Sequence, residues 1–153
     1  MELEFRETQL TDVDALFDLR ARTRENPFSR DALAKMGITP ESTSHALLTG
    51  RTKGWVCTHG SRIVGFCTGD AQTGEILVVA ILPQYESMGI GKRLLSLAVG
   101  WLRTTGAKRI WLIASSNSTT RAHGFYRALS WQPTGERTEN GGEVLVITPR
   151  AGS

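Results

Sequence analysis

Cysteine is scarce: only Cys57 and Cys67 occur, and they lack the paired C-x-x-C spacing of a zinc or redox centre. Both fall in apolar, strand-like segments. Buried free thiols, no metal centre and a reducing, cytoplasmic setting are therefore expected. Long apolar runs are missing too. No stretch approaches the roughly 18 consecutive apolar residues of a membrane span. The opening residues MELEFRETQL have no apolar segment of the kind that marks a secretory signal. Lys and Arg exceed Asp and Glu by only 18 to 15, a net charge of +3. The basic residues form no block of five or six of the kind that marks a nucleic-acid tail. A local positive site for a small anion remains compatible with this balance. Internal repeats and low-complexity segments are absent.

What is present reads as one domain. The chain has 153 residues, 40% of them hydrophobic, enough for a core without disulfide or metal staples. Residues 1–150 are expected to form that domain, with 151–153 a loose tail. Glu2 to Thr8 alternates like a strand. Thr11 offers a cap for a helix carrying Val13, Leu16 and Phe17, which Asn26-Pro27 is expected to stop. Ser29 caps a short helix to Met36, and Thr39-Pro40 opens another to about Thr49.

Lys53 to His59 and Arg62 to Ala71 flank the turn pair Gly60-Ser61, a hairpin signature. Glu75 to Leu82 is almost entirely apolar, the pattern of a central strand covered on both faces. Gly89 to Thr105 has helical spacing, with Ile90, Leu94, Leu97, Ala98 and Trp101 on one stripe. Arg109 to Ala114 reads as a buried strand and Thr119 to Leu129 as a helix. Trp131 to Pro133 and Glu143 to Thr148 are closing strands, with Gly135 to Gly142 a hairpin loop between them. The expected fold is a mixed α/β sheet of about six or seven strands flanked by about four or five helices. A right-handed parallel crossover is expected between Glu75 and Ala114.

The segment Pro83 to Leu95, PQYESMGIGKRLL, carries the chemistry. It leaves a strand, turns and opens a helix. The first N–H groups of a helix have no internal partner and point outward with partial positive charge. Glycines let an anion approach the main chain closely. Lys92 and Arg93 add charge in the first turn. Such a place holds phosphate or diphosphate. It is not a P-loop, because Arg93 stands where Ser or Thr would follow the lysine. It is not a dinucleotide fingerprint either, because Leu94 occupies the third glycine position.

The segment E-S-M-G-I-G-K-R-L-L resembles the acyl-CoA loop, [QR]-x-x-G-x-[GA], of the GNAT acyltransferase superfamily. Ala122-His123-Gly124-Phe125-Tyr126-Arg127-Ala128-Leu129-Ser130-Trp131 is similar to that family's A-x-x-[FL]-Y-x-x-x-G-[FW] segment. RIWLIA lies between them, in the family's order. The resemblance covers most of the chain and is strongest from Glu75 to Trp131. It departs in two places. Glu86 stands where Gln or Arg is usual, and is expected to point to solvent. Thr119 stands where the family often has Asn, so the nearby Asn117 either contacts the cofactor or merely caps the helix.

The resemblance implies acetyl-CoA as acyl-donor cosubstrate and a primary amine as acceptor, with a small molecule favoured over a protein. A non-catalytic acyl-CoA sensor is the competing class. It also implies that the strand carrying the loop splays from the next parallel strand. The pantetheine arm would then pair with main-chain groups of Val79, Ala80 and Ile81. The diphosphate would lie on Ser87, Met88, Gly89, Ile90, Gly91 and Lys92. Tyr126 would protonate the departing thiolate, unless Phe125-Tyr126 is simply a core aromatic pair. Glu75, fourteen positions before Gly89, is either the general base or an ordinary strand-edge carboxylate. His45, His59 and His123 read as surface histidines. Arg20 to Thr49 and Thr134 to Val144 would wall the acceptor site. Homodimers are common in the family.

Overall fold

The computed structural model describes residues 2–23, 28–115 and 120–149. Strand β1 (Leu3–Glu7) leads through a 3-10 turn at Leu10–Asp12 into α1 (Val13–Arg20), followed by α2 (Arg30–Lys35) and α3 (Pro40–Thr49). The meander β2 (Thr52–His59), β3 (Arg62–Asp70) and β4 (Ile76–Ile81) comes next. A 3-10 turn at Pro83–Tyr85 then opens into α4 (Ile90–Thr104). The chain closes through β5 (Ile110–Ser115), α5 (Arg121–Ala128), β6 (Gln132–Arg137) and β7 (Gly142–Ile147). The mixed α/β expectation holds, but the strands divide into two sheets, ordered β1-β2-β3-β4 and β5-β7-β6. Within each sheet the neighbours are antiparallel.

Local chemistry explains most boundaries. Ser29 accepts from the Ala32 N–H and Thr39 from the Ser42 N–H, while Pro40 takes the first helical position. At the chain's first turn the capping is different. The Asp12 carboxylate, not Thr11, accepts from the Gln9 N–H at 2.7 Å. Asp12 also takes a two-pronged ion pair from Arg6 at 2.7 and 3.0 Å. Helix α1 ends at Arg20, short of Asn26-Pro27; that pair lies outside the described residues.

The core forms where α4 crosses the first sheet. Leu94, Ala98 and Leu102 recur at helical spacing and are fully buried beside Val56, Val64 and Cys67. Each of the leucines and valines among them contributes about 2 kcal/mol by leaving water. Cys57 and Cys67 are buried free thiols. Leu97 and Trp101, expected in the stripe, pack against the core while only partly buried. No helix among the described residues is long and apolar enough to cross a membrane.

Two strand expectations need correction. The run Glu75 to Leu82 is not covered on both faces: β4 is the outer strand of its sheet, and Leu77 is 41% exposed. An unbroken apolar run cannot tell a sandwiched strand from one that borders a cleft. Strand β6 extends to Arg137, beyond Pro133, because its residues are all exposed and leave no apolar alternation to read. The expected loop at Gly135 to Gly142 shrinks to a turn, closed by the Thr138 N–H donating to the Gly142 carbonyl at 2.9 Å.

Candidate active site

Among the described residues the two sheets touch at one parallel bridge, Glu75 to Trp111. The Trp111 N–H donates to the Gly74 carbonyl there, at 3.1 Å. Gly74 has φ +78°, and a Cβ on it would collide with the Arg109 carbonyl oxygen. Only glycine lets β4 and β5 approach at this apex. Beyond it the strands diverge, with no further pairing between them among the described residues. The expected parallel splay is present.

Antiparallel alternation decides which β4 groups face the opening. The Leu82 N–H donates to the Val64 carbonyl at 2.9 Å, and Ala80 lies opposite Phe66. Residues two apart share a side. The main-chain groups of Ala80 are therefore taken up by β3, while those of Val79 and Ile81 turn toward the divide between the sheets. An amide-bearing arm laid along β4 would meet Val79 and Ile81.

The loop closes the wide end of the divide. After the turn at Pro83–Tyr85, Ser87 has φ +65° and Gly89 has φ +79°. This puts Ser87, Met88 and Gly89 on the exposed surface, with Gly89 as the helix N-cap. Left-handed residues alternating along a turn gather successive N–H groups into a concave anion seat. The Ile90 side chain is buried, so only its amide can serve a ligand. A Cβ on Gly91 would lie 3.1 Å from Phe125 Cζ, and this tight seam seats α5 against the start of α4. Lys92 is exposed beside the loop. Arg93 turns away and lies over the Phe5 ring at 4.8 Å.

Glu86 does not point to solvent as expected. Its side chain is only 17% exposed, with Oε1 3.8 Å from Nε of Arg121. Arg121 also donates from Nη2 to Ser87 Oγ at 3.2 Å. Arg121 is the first residue of α5, and sequence reasoning passed over it. No local pattern marks it, because the contact joins a loop to the first residue of a separate helix.

Tyr126 and Glu75 fall on opposite faces of the first sheet. A Cβ on Gly69 would rest on Leu102 and Trp101, and one on Gly65 on Ile90. Gly65, Cys67 and Gly69 therefore face α4. Tyr126 lies on this same side, where burial, reinforced by the nearby Cys67 thiol, pushes its phenol well above the usual tyrosine range. Cys67 is the β3 partner of Val79. The Tyr126 ring packs edge-on against Phe125 and Trp131 at 5.0 and 6.1 Å. Among the described residues its hydroxyl has no hydrogen-bond partner. The ring packs as an aromatic neighbour of Phe125 and Trp131, and the hydroxyl is kept protonated.

Glu75 sits one residue before Ile76, the partner of Gly69, and so projects on the other face, beside Trp111. Burial, then the charge of Asp70, raises its carboxyl above the usual range. Asp70 is itself buried and held by Arg51 at 3.1 Å.

The remaining candidates separate. Asn117 lies outside the described residues. His59 is not merely solvated: its Nδ1 is 2.7 Å from the Tyr85 hydroxyl, at the foot of the loop. At the far end of α5, Arg127 pairs with buried Glu143 of β7 at 2.8 Å. Ser130, standing where the related motif has glycine, takes φ +74°. Two hollows lie away from the divide. One of about 510 Å³ is bordered by Thr8, Leu47 and Trp101, and one of about 380 Å³ by Arg6, Arg22 and Leu82.

Known proteins share this layout. A Bacillus subtilis protein provisionally named a ribosomal protein bS18 alanine N-acetyltransferase is 28% identical, over 93% of this chain and 91% of its own. The PaiA N-acetyltransferase of Thermoplasma acidophilum, solved in complex with coenzyme A, superposes with a TM-score of 0.79 at 17% identity, covering 97% of this chain and 99% of that one. The ribosomal-protein-S18-alanine N-acetyltransferase of Escherichia coli gives a TM-score of 0.66 at 19% identity, covering 95% and 90%. Residues 13–131 match the profile of the Acetyltransferase (GNAT) family, so the chain belongs to that family: it is an N-acetyltransferase, and acetyl-CoA is its acyl donor.

Proposed function

We propose that the chain transfers the acetyl group to a primary amine by direct attack within a ternary complex. The observation that carries this reading is the outward-facing main chain of Val79. Tyr126 lies on one face of the sheet, near Cys67, the partner of Val79, and Glu75 projects on the other face four residues back along the strand. The Val79 N–H polarises the thioester carbonyl and takes up negative charge as the tetrahedral intermediate forms. The amine attacks from the Glu75 side. Glu75, whose raised pKa suits a base working nearer neutrality, accepts the amine proton directly or through water. As the carbon–sulfur bond breaks, the sulfur takes the electron pair, and the Tyr126 hydroxyl donates to it. Ser87, Met88, Gly89, Ile90, Gly91 and Lys92 hold the diphosphate, and Asn117 is a further candidate for contact with the arm.

The acceptor is where two readings stand. The sequence favours a small-molecule amine. The near full-length similarity to the Bacillus protein favours the α-amine of a polypeptide beginning with alanine. Acid–base chemistry separates the demands. An alkyl amine, with a pKa near 10, is neutral in only about one molecule in four hundred at pH 7.4; an α-amine, near 8, is neutral in about one in five. An α-amine asks much less of the base. Thiol release from acetyl-CoA, measured with alkyl amines and with alanine-initiated peptides, tests both readings. Binding of acetyl-CoA without turnover on any acceptor would refute the transferase reading in favour of a sensor.

A further inference from the structure

The Glu86 carboxylate occupies a loop built to receive a dianion, which a negative side chain opposes. It is held there, mostly shielded, beside the Arg121 guanidinium. The same guanidinium donates to Ser87 Oγ, directly at the left-handed turn that forms the anion seat. The Arg121 side chain is 52% exposed, on the same side as the exposed turn residue Ser87 that it contacts. Guanidinium groups match phosphate oxygens in a planar fork.

We infer that Arg121 is a diphosphate-binding residue of the cofactor site, and that Glu86 positions it while lowering cofactor affinity. In the free protein Arg121 neutralises Glu86. When coenzyme A binds, the guanidinium shares its donors with the diphosphate, and the Glu86 charge opposes the same diphosphate. Because Arg121 opens α5 and Tyr126 lies five residues on, the contact also ties cofactor occupancy to the helix that carries the acid. This inference rests on the acetyl-CoA donor site and not on any acceptor.

Calorimetric titration of the purified chain, with no acceptor present, tests it. The ligands are coenzyme A, dephospho-coenzyme A (which keeps the diphosphate but lacks the 3′-phosphate) and pantetheine, which lacks both. Arg121→Gln should weaken coenzyme A and dephospho-coenzyme A alike, by about tenfold or more, and leave pantetheine unmoved. Arg121→Lys, which keeps the charge without the fork, should fall between. Glu86→Gln should tighten coenzyme A by a few-fold. The double variant Glu86→Gln/Arg121→Gln should bind more tightly than Arg121→Gln, because a negative charge beside the diphosphate is gone. Equal weakening of all three ligands would mark a merely structural arginine and overturn the inference. A loss confined to coenzyme A would assign Arg121 to the 3′-phosphate and overturn it as well. Unchanged affinity in Arg121→Gln, no tightening in Glu86→Gln, or a double variant no better than Arg121→Gln would do the same.

Discussion

The two sheets meet at the Glu75–Trp111 bridge yet are protected very differently. In the first, β2 and β3 are buried along most of their length, with α4 packed on one face. In the second, every residue of β6 is exposed, while its neighbour β7 keeps Val144 and Leu145 inside. The first sheet fixes the main chain of Val79 and the position of Glu75. The second supplies a wall whose outer strand is polar and free to vary. In this molecule burial is concentrated in the first sheet, and the outer strand of the second carries little packing constraint.

The contrast can be broken from either side. Leu94→Ala, in the platform, should lower unfolding free energy by about 3–5 kcal/mol, because a fully enclosed side chain leaves a cavity; urea titration checks this. Tyr126→Phe should cut kcat by about a hundredfold, with little change in KM for acetyl-CoA and little loss of stability. Wild-type turnover in that variant would leave the ring's packing as its sole role. Ser130→Gly should stabilise by about 0.5–1 kcal/mol, since a non-glycine residue there adopts φ +74° at the end of α5. Thr134→Ala, on exposed β6, should stay within about 0.5 kcal/mol of wild type.

Two pH dependences sharpen the same comparison. Glu75 accepts a proton only when ionised, and its pKa is raised. The rate should therefore climb with pH along a limb lying above the ordinary carboxylate range. Asp70→Asn removes the neighbouring charge and should move that limb to lower pH, as a kcat–pH profile would show. Asp12 behaves oppositely. The hydrogen-bonded pair with Arg6 holds its carboxyl below the usual value. That stabilisation is fully present above the ordinary carboxylate pKa and is lost as pH falls through the lower folded value. Asp12→Ala should flatten this acid limb of the stability curve.

Much of this was legible in the chain alone. The spacing of Leu94 and Ala98 marked the α4 stripe. Gly60-Ser61 marked the hairpin, and the glycines after Pro83 marked the anion seat. The placement of Glu86 was not legible. It depends on Ser87 adopting a left-handed turn and on Arg121 arriving from another helix, and no local pattern encodes either. The extent of β6 escaped because exposed strands need no apolar rhythm. The cleft-side exposure of β4 escaped because its residues are as apolar as those of a sandwiched strand. The hydrogen bond between His59 and Tyr85 joins positions that look, in isolation, like a turn residue and a loop aromatic.

The apex at Gly74 has a consequence for redesign. The hinge of the wedge is set by a residue that tolerates no side chain, pressed against the Arg109 carbonyl. Attempts to admit a bulkier donor should therefore leave that corner untouched. They should carve room at the opposite end, where α5 and β7 are joined by side chains that can be exchanged.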